Sequence, residues 1–195
     1  MKIFILGYPE SGYHDVAQSI CQNAKYCYVD GLNWVRQTFR GIRDDEHIEQ
    51  YCDAYHQYFT NRLIEDADLC LRNIKDTIVC NSSEHYVISG IASPRDFATL
   101  FDYTQDFVVF LNRTDNEDSH IKDYEKIGIS VIRDYCFWMS SANLLPKERW
   151  LEYNFKMEGG NTDRFKAMGS KNSVFIVGSI EKVILHLQEN LESKS

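Results

Sequence analysis

Ile3-Phe4-Ile5-Leu6-Gly7-Tyr8-Pro9-Glu10-Ser11-Gly12-Tyr13-His14 is the stretch on which the fold turns. Four consecutive apolar residues ending at Gly7 read as a strand buried on both faces, since a half-exposed strand would alternate. The Gly, Pro and Ser that follow read as a turn. Val16, Ala17, Ile20 and Cys21 then recur at helical spacing, so the turn opens a helix. The same pattern repeats down the chain. Residues 26–30, 86–90, 107–111 and 173–177 read as further strands. Helical periodicity covers 32–39 and 180–191, and one long stripe runs from 45 to 73 through Ile48, Cys52, Phe59, Leu63 and Cys70. Ser93-Pro94 places a cap and an N1 proline at the start of a helix ending near Phe101. Strands alternating with helices, each strand a nearly unbroken apolar run, predict an α/β fold with a five-stranded parallel sheet and helices on both faces. Residues 112–172 break the rhythm with an acidic stretch (Asp115 to Asp118), a helical segment at 132–139 and a Gly159-Gly160 turn. They read as a lid-like insertion within a single domain spanning 1–195.

Composition narrows the function. The chain has 195 residues, 44% hydrophobic and 26% charged, which supports a packed core and excludes global disorder. A net charge of -8 argues against extended nucleic acid or an anionic membrane as the main partner, because the long-range field would repel either. It leaves room for a local pocket holding one nucleotide or nucleoside, or for a protein partner. The opening apolar run is too short for a signal peptide, and no run of apolar residues approaches a membrane span, so a cytoplasmic protein is expected. Six scattered cysteines without a Cys-x-x-Cys are expected to be free thiols.

In an open parallel sheet, ligands gather beyond the carboxyl ends of the strands, which directs attention to the first strand-to-helix turn. Gly7 and Gly12 enclose four residues between strand and helix, the spacing of a loop whose amides and helix N-terminus cradle phosphate. The lysine that normally follows is replaced by Tyr13, and the metal-binding Ser or Thr by His14. A phenol cannot bridge phosphates as an ammonium does, and Glu10 adds a carboxylate where phosphate charge would sit. A loop shape kept only as scaffold is the competing reading.

With these departures, Gly7-x-Pro9-x-Ser11-Gly12 resembles the phosphate loop of the P-loop nucleoside and nucleotide kinases, adenylate kinase and the deoxynucleoside monophosphate kinases among them. Ser89-Gly90-Ile91-Ala92-Ser93-Pro94-Arg95 is similar to their strand-end Asp-Gly-Phe-Pro-Arg, with Ser89 for Asp and two extra residues. The segment from Ser173 to Glu181 resembles their last strand and the turn into the final helix. The resemblance implies a three-layer P-loop NTPase fold and phosphoryl transfer from a nucleoside triphosphate to a nucleoside or its monophosphate. It implies ATP and Mg²⁺ as cofactors, held weakly here, at Gly7, Ser11, Gly12, Tyr13 and His14. It implies catalytic duties for Asp30, Arg95 and Arg113, and acceptor-phosphate contacts for Arg36, Arg40 and Arg95, with Arg43 just beyond. Lys2, Lys25, Lys122 and Lys126 are the cations that could stand in for the missing lysine.

The residues themselves leave other readings open. Asp30 serves equally as the cap of the segment opening at Leu32, and a solvated helix face is the more frequent reading of an Arg36–Arg40 pair. The six histidines lack paired spacing with cysteine, so no metal site is expected, and neither Ser11 nor Ser89 has a triad pattern. Three functions follow: a kinase-like transferase, a pseudoenzyme of that fold acting as a protein-binding or regulatory module, and an unrelated flavodoxin-like protein. Strand order separates the last, 2-3-1-4-5 for the kinase fold against 2-1-3-4-5.

Overall fold

The computed structural model describes residues 1–7, 11–23, 26–38, 48–81, 83–91, 93–113, 124–156, 173–177 and 179–192. Its centre is a parallel sheet of six strands: β1 (Lys2–Gly7), β2 (Cys27–Asp30), β3 (Tyr86–Ser89), β4 (Phe107–Arg113), β5 (Trp150–Lys156) and β6 (Ser173–Val177). They run in the order β2-β3-β1-β4-β5-β6. The helices are α1 (Tyr13–Asn23), α2 (Asn33–Thr38), α3 (Ile48–Glu65), α4 (Leu69–Cys80), α5 (Pro94–Leu100), α6 (Tyr124–Ser141) and α7 (Ile180–Glu192), and a 3₁₀ turn at Lys147–Arg149 leads into β5.

Alternation along each strand divides the core into two layers. Phe4, Leu6, Ile88, Val108 and Phe110 face one side, where they pack with Ile74 of α4, Phe97 of α5 and Ile132, Cys136 and Met139 of α6. Ile3, Ile5, Val87, Val109 and Leu111 face the other, against Val16, Ala17 and Ile20 of α1 and Val183 and Leu187 of α7. A side cluster of Leu32, Val35, Phe59 and Cys70 joins α2, α3 and α4, with the Trp34 ring stacked on Phe59 at 6.1 Å. Helices on both faces of a parallel sheet, with β3 inserted between β2 and β1, give the three-layer P-loop NTPase fold. The flavodoxin-like order would pair β2 with β1, and that reading is excluded.

Two expectations are corrected here. The sheet has a sixth strand, β5, which lies inside the stretch read as an insertion and separates β4 from the final strand. Helix α6, from the same stretch, covers the sheet with its Ile129, Ile132, Cys136 and Met139 stripe. Much of 112–172 is therefore framework; only 114–123 and 157–172 lie outside the described residues. The long helix expected over 45–73 is two helices, broken after Glu65. At the break, Asp66 accepts from the Asp68 amide at 3.2 Å and pairs with Arg72 of the next helix, so its carboxylate competes with the helical backbone pattern.

The remaining elements match their sequence signals. Ser93 caps α5 by accepting from the Asp96 amide, with Pro94 in the first turn. Cys21, Cys27, Cys70, Cys80 and Cys136 are free thiols, and burial pushes the Cys136 thiol up to about 12, which makes it unreactive. Among the described residues no helix is long and apolar enough to cross a membrane.

Candidate functional site

The carboxyl ends of β1, β2 and β3 meet the N-terminus of α1. Gly12, at φ +72°, takes the left-handed conformation that lets the chain turn from the loop into the helix, and its carbonyl receives the Val16 amide at 3.1 Å. Ser11, 1% exposed, is folded over Gly7 so closely that a Cβ on Gly7 would lie 2.2 Å from the Ser11 hydroxyl oxygen. Among the described residues that hydroxyl has no hydrogen-bond partner. A buried hydroxyl left unpaired costs about 1–3 kcal/mol. Residues 8–10 lie outside the described residues.

The next residue, Tyr13, is turned into the interior. Tyr13 is 5% exposed and belongs to the core layer beneath α1 and α7. It also lines a small cleft with Gly7, Leu32, Gly90 and Ile129, whose volume of about 10 Å³ admits roughly one water.

Next to it, His14 enters a polar chain. Its Nδ1 lies 2.6 Å from the Tyr28 hydroxyl and 3.7 Å from Asp30 Oδ2, and the Tyr28 hydroxyl lies 2.7 Å from Ser89 Oγ. Asp30 also caps the turn after β2: its Oδ1 accepts from the Leu32 amide at 3.0 Å, while the Gly31 amide donates to the Ser89 carbonyl. Both readings of Asp30, cap and site residue, are thus compatible. Gly90, at φ +71°, makes this approach possible, since a Cβ there would stand 2.5 Å from Asp30 Oδ1.

Of the residues expected in the site, Gly7, Ser11, Gly12, Tyr13, His14 and Asp30 come together, with Tyr13 turned into the core. Arg95 does not join them. Its guanidinium is exposed and pairs with Asp68 Oδ1 at 2.9 Å, toward the start of α4. Arg36 lies on α2 and Arg113 at the end of β4, and both side chains fall outside the described residues, as do Arg40 and Arg43. Lys2 is removed as a stand-in cation: it sits at the opposite end of β1, bonded to Asp106 Oδ2 at 2.7 Å. Lys25 and Lys122, and the Lys126 side chain, lie outside the described residues.

Tyr28 was missed by sequence reasoning, although Tyr28 and Asp30, two apart on one strand, must share a face. Asp96 was also missed. It is buried beside Arg95 with one carboxylate oxygen unpartnered among the described residues, and burial raises its pKa against the opposing pull of Arg95. A raised folded-state pKa means stability that is full below the ordinary aspartate value and lost as pH rises through the folded one. Asp96→Asn is therefore expected to stabilise the protein at pH 7 by about 1 kcal/mol, a gain that shrinks as the pH approaches the ordinary aspartate range. Thermal unfolding across that pH range checks both the sign and the trend.

No family model and no curated protein matches the sequence. Among solved structures, the fold is similar to a shikimate kinase from Bacteroides thetaiotaomicron, at 12% identity over 98% of each chain with a TM-score of 0.42. It is also similar to a plasmid partition protein from Borrelia burgdorferi, at 14% identity over 97% of this chain and 94% of that one, with a TM-score of 0.46. Strand order and layering give the chain an α/β P-loop NTPase fold.

Proposed function

We propose that this chain binds the phosphate of a nucleotide at the N-terminus of α1, in a nucleotide-kinase-like site that has lost efficient phosphoryl transfer. The carrying observation is the Ser11 hydroxyl, buried and, among the described residues, without a partner where the loop meets the helix. The helix end supplies a positive dipole that favours an anion. These features fit a phosphate group. They fit Mg²⁺ poorly, because the position of the usual hydroxyl ligand is an imidazole engaged with Tyr28, and Ser89 replaces the usual acid. Phosphoryl transfer depends almost wholly on charge neutralisation, so loss of both lysine and metal ligand removes most of it. This favours a pseudoenzyme that reports nucleotide occupancy to a protein partner over a nucleoside or nucleoside monophosphate kinase. The buried Tyr13 supports the same choice.

Differential scanning fluorimetry and calorimetry with ADP, ATP and pyrophosphate, each with and without Mg²⁺, test the reading. Saturation at about 100 times Kd corresponds to roughly 2.7 kcal/mol of stabilisation. The expected result is a ligand-dependent shift that Ser11→Ala weakens about fivefold in affinity, the loss of about 1 kcal/mol of hydrogen bonding. Ready turnover with a nucleoside monophosphate would restore the kinase reading. No shift with any of the three ligands would overturn phosphate binding altogether.

A further inference from the structure

We infer that the outward face of α6 is a self-association surface, on which a second copy of this chain packs about a two-fold axis lying between Phe137 and Trp138. The inference goes beyond the phosphate reading and does not depend on it, because no residue of this face belongs to the α1 site.

Three observations carry it. First, α6 is apolar on both sides. Ile129, Ile132, Cys136 and Met139 pack on the sheet, while Val131, Tyr135, Phe137 and Trp138 point outward, Phe137 55% and Trp138 59% exposed. A surface helix has a polar outer face, and one that is apolar all round is covered on all sides. The exposed Ile64, Val79, Tyr103 and Leu185 stand singly on separate segments and need no partner. Second, the patch is of the right size. Asn143, at φ +58°, ends the helix in the left-handed conformation, and the Leu144 amide turns back to the Met139 carbonyl at 2.9 Å, which adds an exposed Leu144 to the stripe. The five outward side chains expose roughly 500 Å², near the upper limit for a monomer. One side of a standard interface buries about 800 Å², about 65% of it apolar between like copies, so the patch supplies the apolar area a dimer needs. Third, the face complements itself. An antiparallel pair about this axis sets Val131 opposite the copy's Leu144 and Phe137 opposite the copy's Trp138, each contact made twice. Asp134, the one acid on the face, comes opposite the exposed Ser141 of the copy, so no two carboxylates meet.

Charge favours this occupant over a membrane. The net charge of -8 opposes an anionic lipid surface, and the flanking Arg133 is spent on Glu152. Three aromatic rings around a single charge are the composition of an interface core. The same net charge also repels two copies at long range, so the dimer should be of roughly micromolar strength and should tighten as salt screens that repulsion.

Sedimentation of the full chain from about 0.1 to about 100 μM should show monomers passing into dimers. In the same series tryptophan emission should move to the blue as the Trp138 indole leaves water. Trp138→Lys removes that ring from both sides of the axis and should weaken association by about thirtyfold or more. Circular dichroism and the melting point of the dilute monomer should stay at wild-type values, because the residue is exposed. Ser141→Asp tests the register: it brings a second acid against Asp134 of the copy and should weaken the dimer about tenfold, and adding Asp134→Lys should recover the loss. A chain still monomeric at about 100 μM overturns the inference. If that monomer binds phosphatidylcholine vesicles, and Trp138→Lys abolishes the binding, the face belongs to a lipid surface instead. A dimer indifferent to Trp138→Lys, or a Ser141→Asp loss that Asp134→Lys does not recover, overturns it as well. None of these outcomes touches the phosphate reading, which nucleotide binding tests separately.

Discussion

Tyr13→Lys, the substitution that would restore the lysine of a phosphate loop, is expected to destabilise the protein by about 3 kcal/mol. The ring is 5% exposed and packs in the layer that holds Ile3, Ile5, Val16 and Ala17 under α1 and α7. A lysine there loses the aromatic contacts and must carry its ammonium out to water, so its stem recovers only part of the burial. For a chain of this size that loss corresponds to a melting point lower by roughly 6–12 °C. The same variant with His14→Ser should still bind phosphate more tightly at temperatures where it is folded, because it adds a cation to a helix end that already attracts anions. Urea unfolding and calorimetry at low temperature separate the two effects. Wild-type stability in Tyr13→Lys would show that Tyr13 is a replaceable occupant of the loop, and would strengthen the reading of a recently lost lysine.

The second large effect is expected at Arg133. Glu152, on β5, is 2% exposed and receives the Arg133 guanidinium of α6 at 2.8 Å. Arg133→Met leaves a carboxylate in the interior without that cation. Breaking a fully buried pair costs about 3–5 kcal/mol, and since Arg133 is 40% exposed and water reaches the pair, about 2–3 kcal/mol is expected here. Arg133→Met combined with Glu152→Leu should return to within about 1 kcal/mol of wild type, because an apolar pair of similar volume carries no unpaired charge. Chemical unfolding of the single and double variants forms a cycle. A single variant as stable as wild type would mean that β5 is not held to α6 by this pair.

These two residues also mark the boundary of what the sequence reveals. Where a segment's burial is written in its own apolar pattern, the sequence is sufficient. Ile3-Phe4-Ile5-Leu6 followed by a Gly-rich turn locates β1, the loop and α1, and the equally apolar runs of β3 and β4 and the Ser93-Pro94 start of α5 locate their elements within a residue or two. Trp150-Leu-Glu-Tyr-Asn-Phe-Lys gives no such signal. Glu152 and Asn154 interrupt it, yet both are buried, because Arg133 neutralises the first and the Asn112 amide donates to the second at 3.0 Å. Those partners come from α6 and β4, so the strand exists only once the sheet has brought them together.

The site divides along the same line. The sequence by itself determined that a glycine-flanked loop joins a buried strand to a helix, and that Tyr13 and His14 stand where the phosphate loops it resembles carry a lysine and a metal-binding hydroxyl. It could equally well have placed Tyr13 over a phosphate or in the core, Asp30 at a cap or beside a ligand, and Arg95 in the site or away from it. Only the tertiary structure decided these. Side-chain direction follows from what packs on the other side of the element: the α1 and α7 layer draws in Tyr13, Asp68 turns Arg95 outward, and the parity of β2 sets Tyr28 and Asp30 together against His14. Local pattern fixes which residues lie on an element, because backbone periodicity is a property of neighbours in sequence. Partners distant in sequence fix what a polar residue does, because only they settle whether its charge or hydrogen bonds are met.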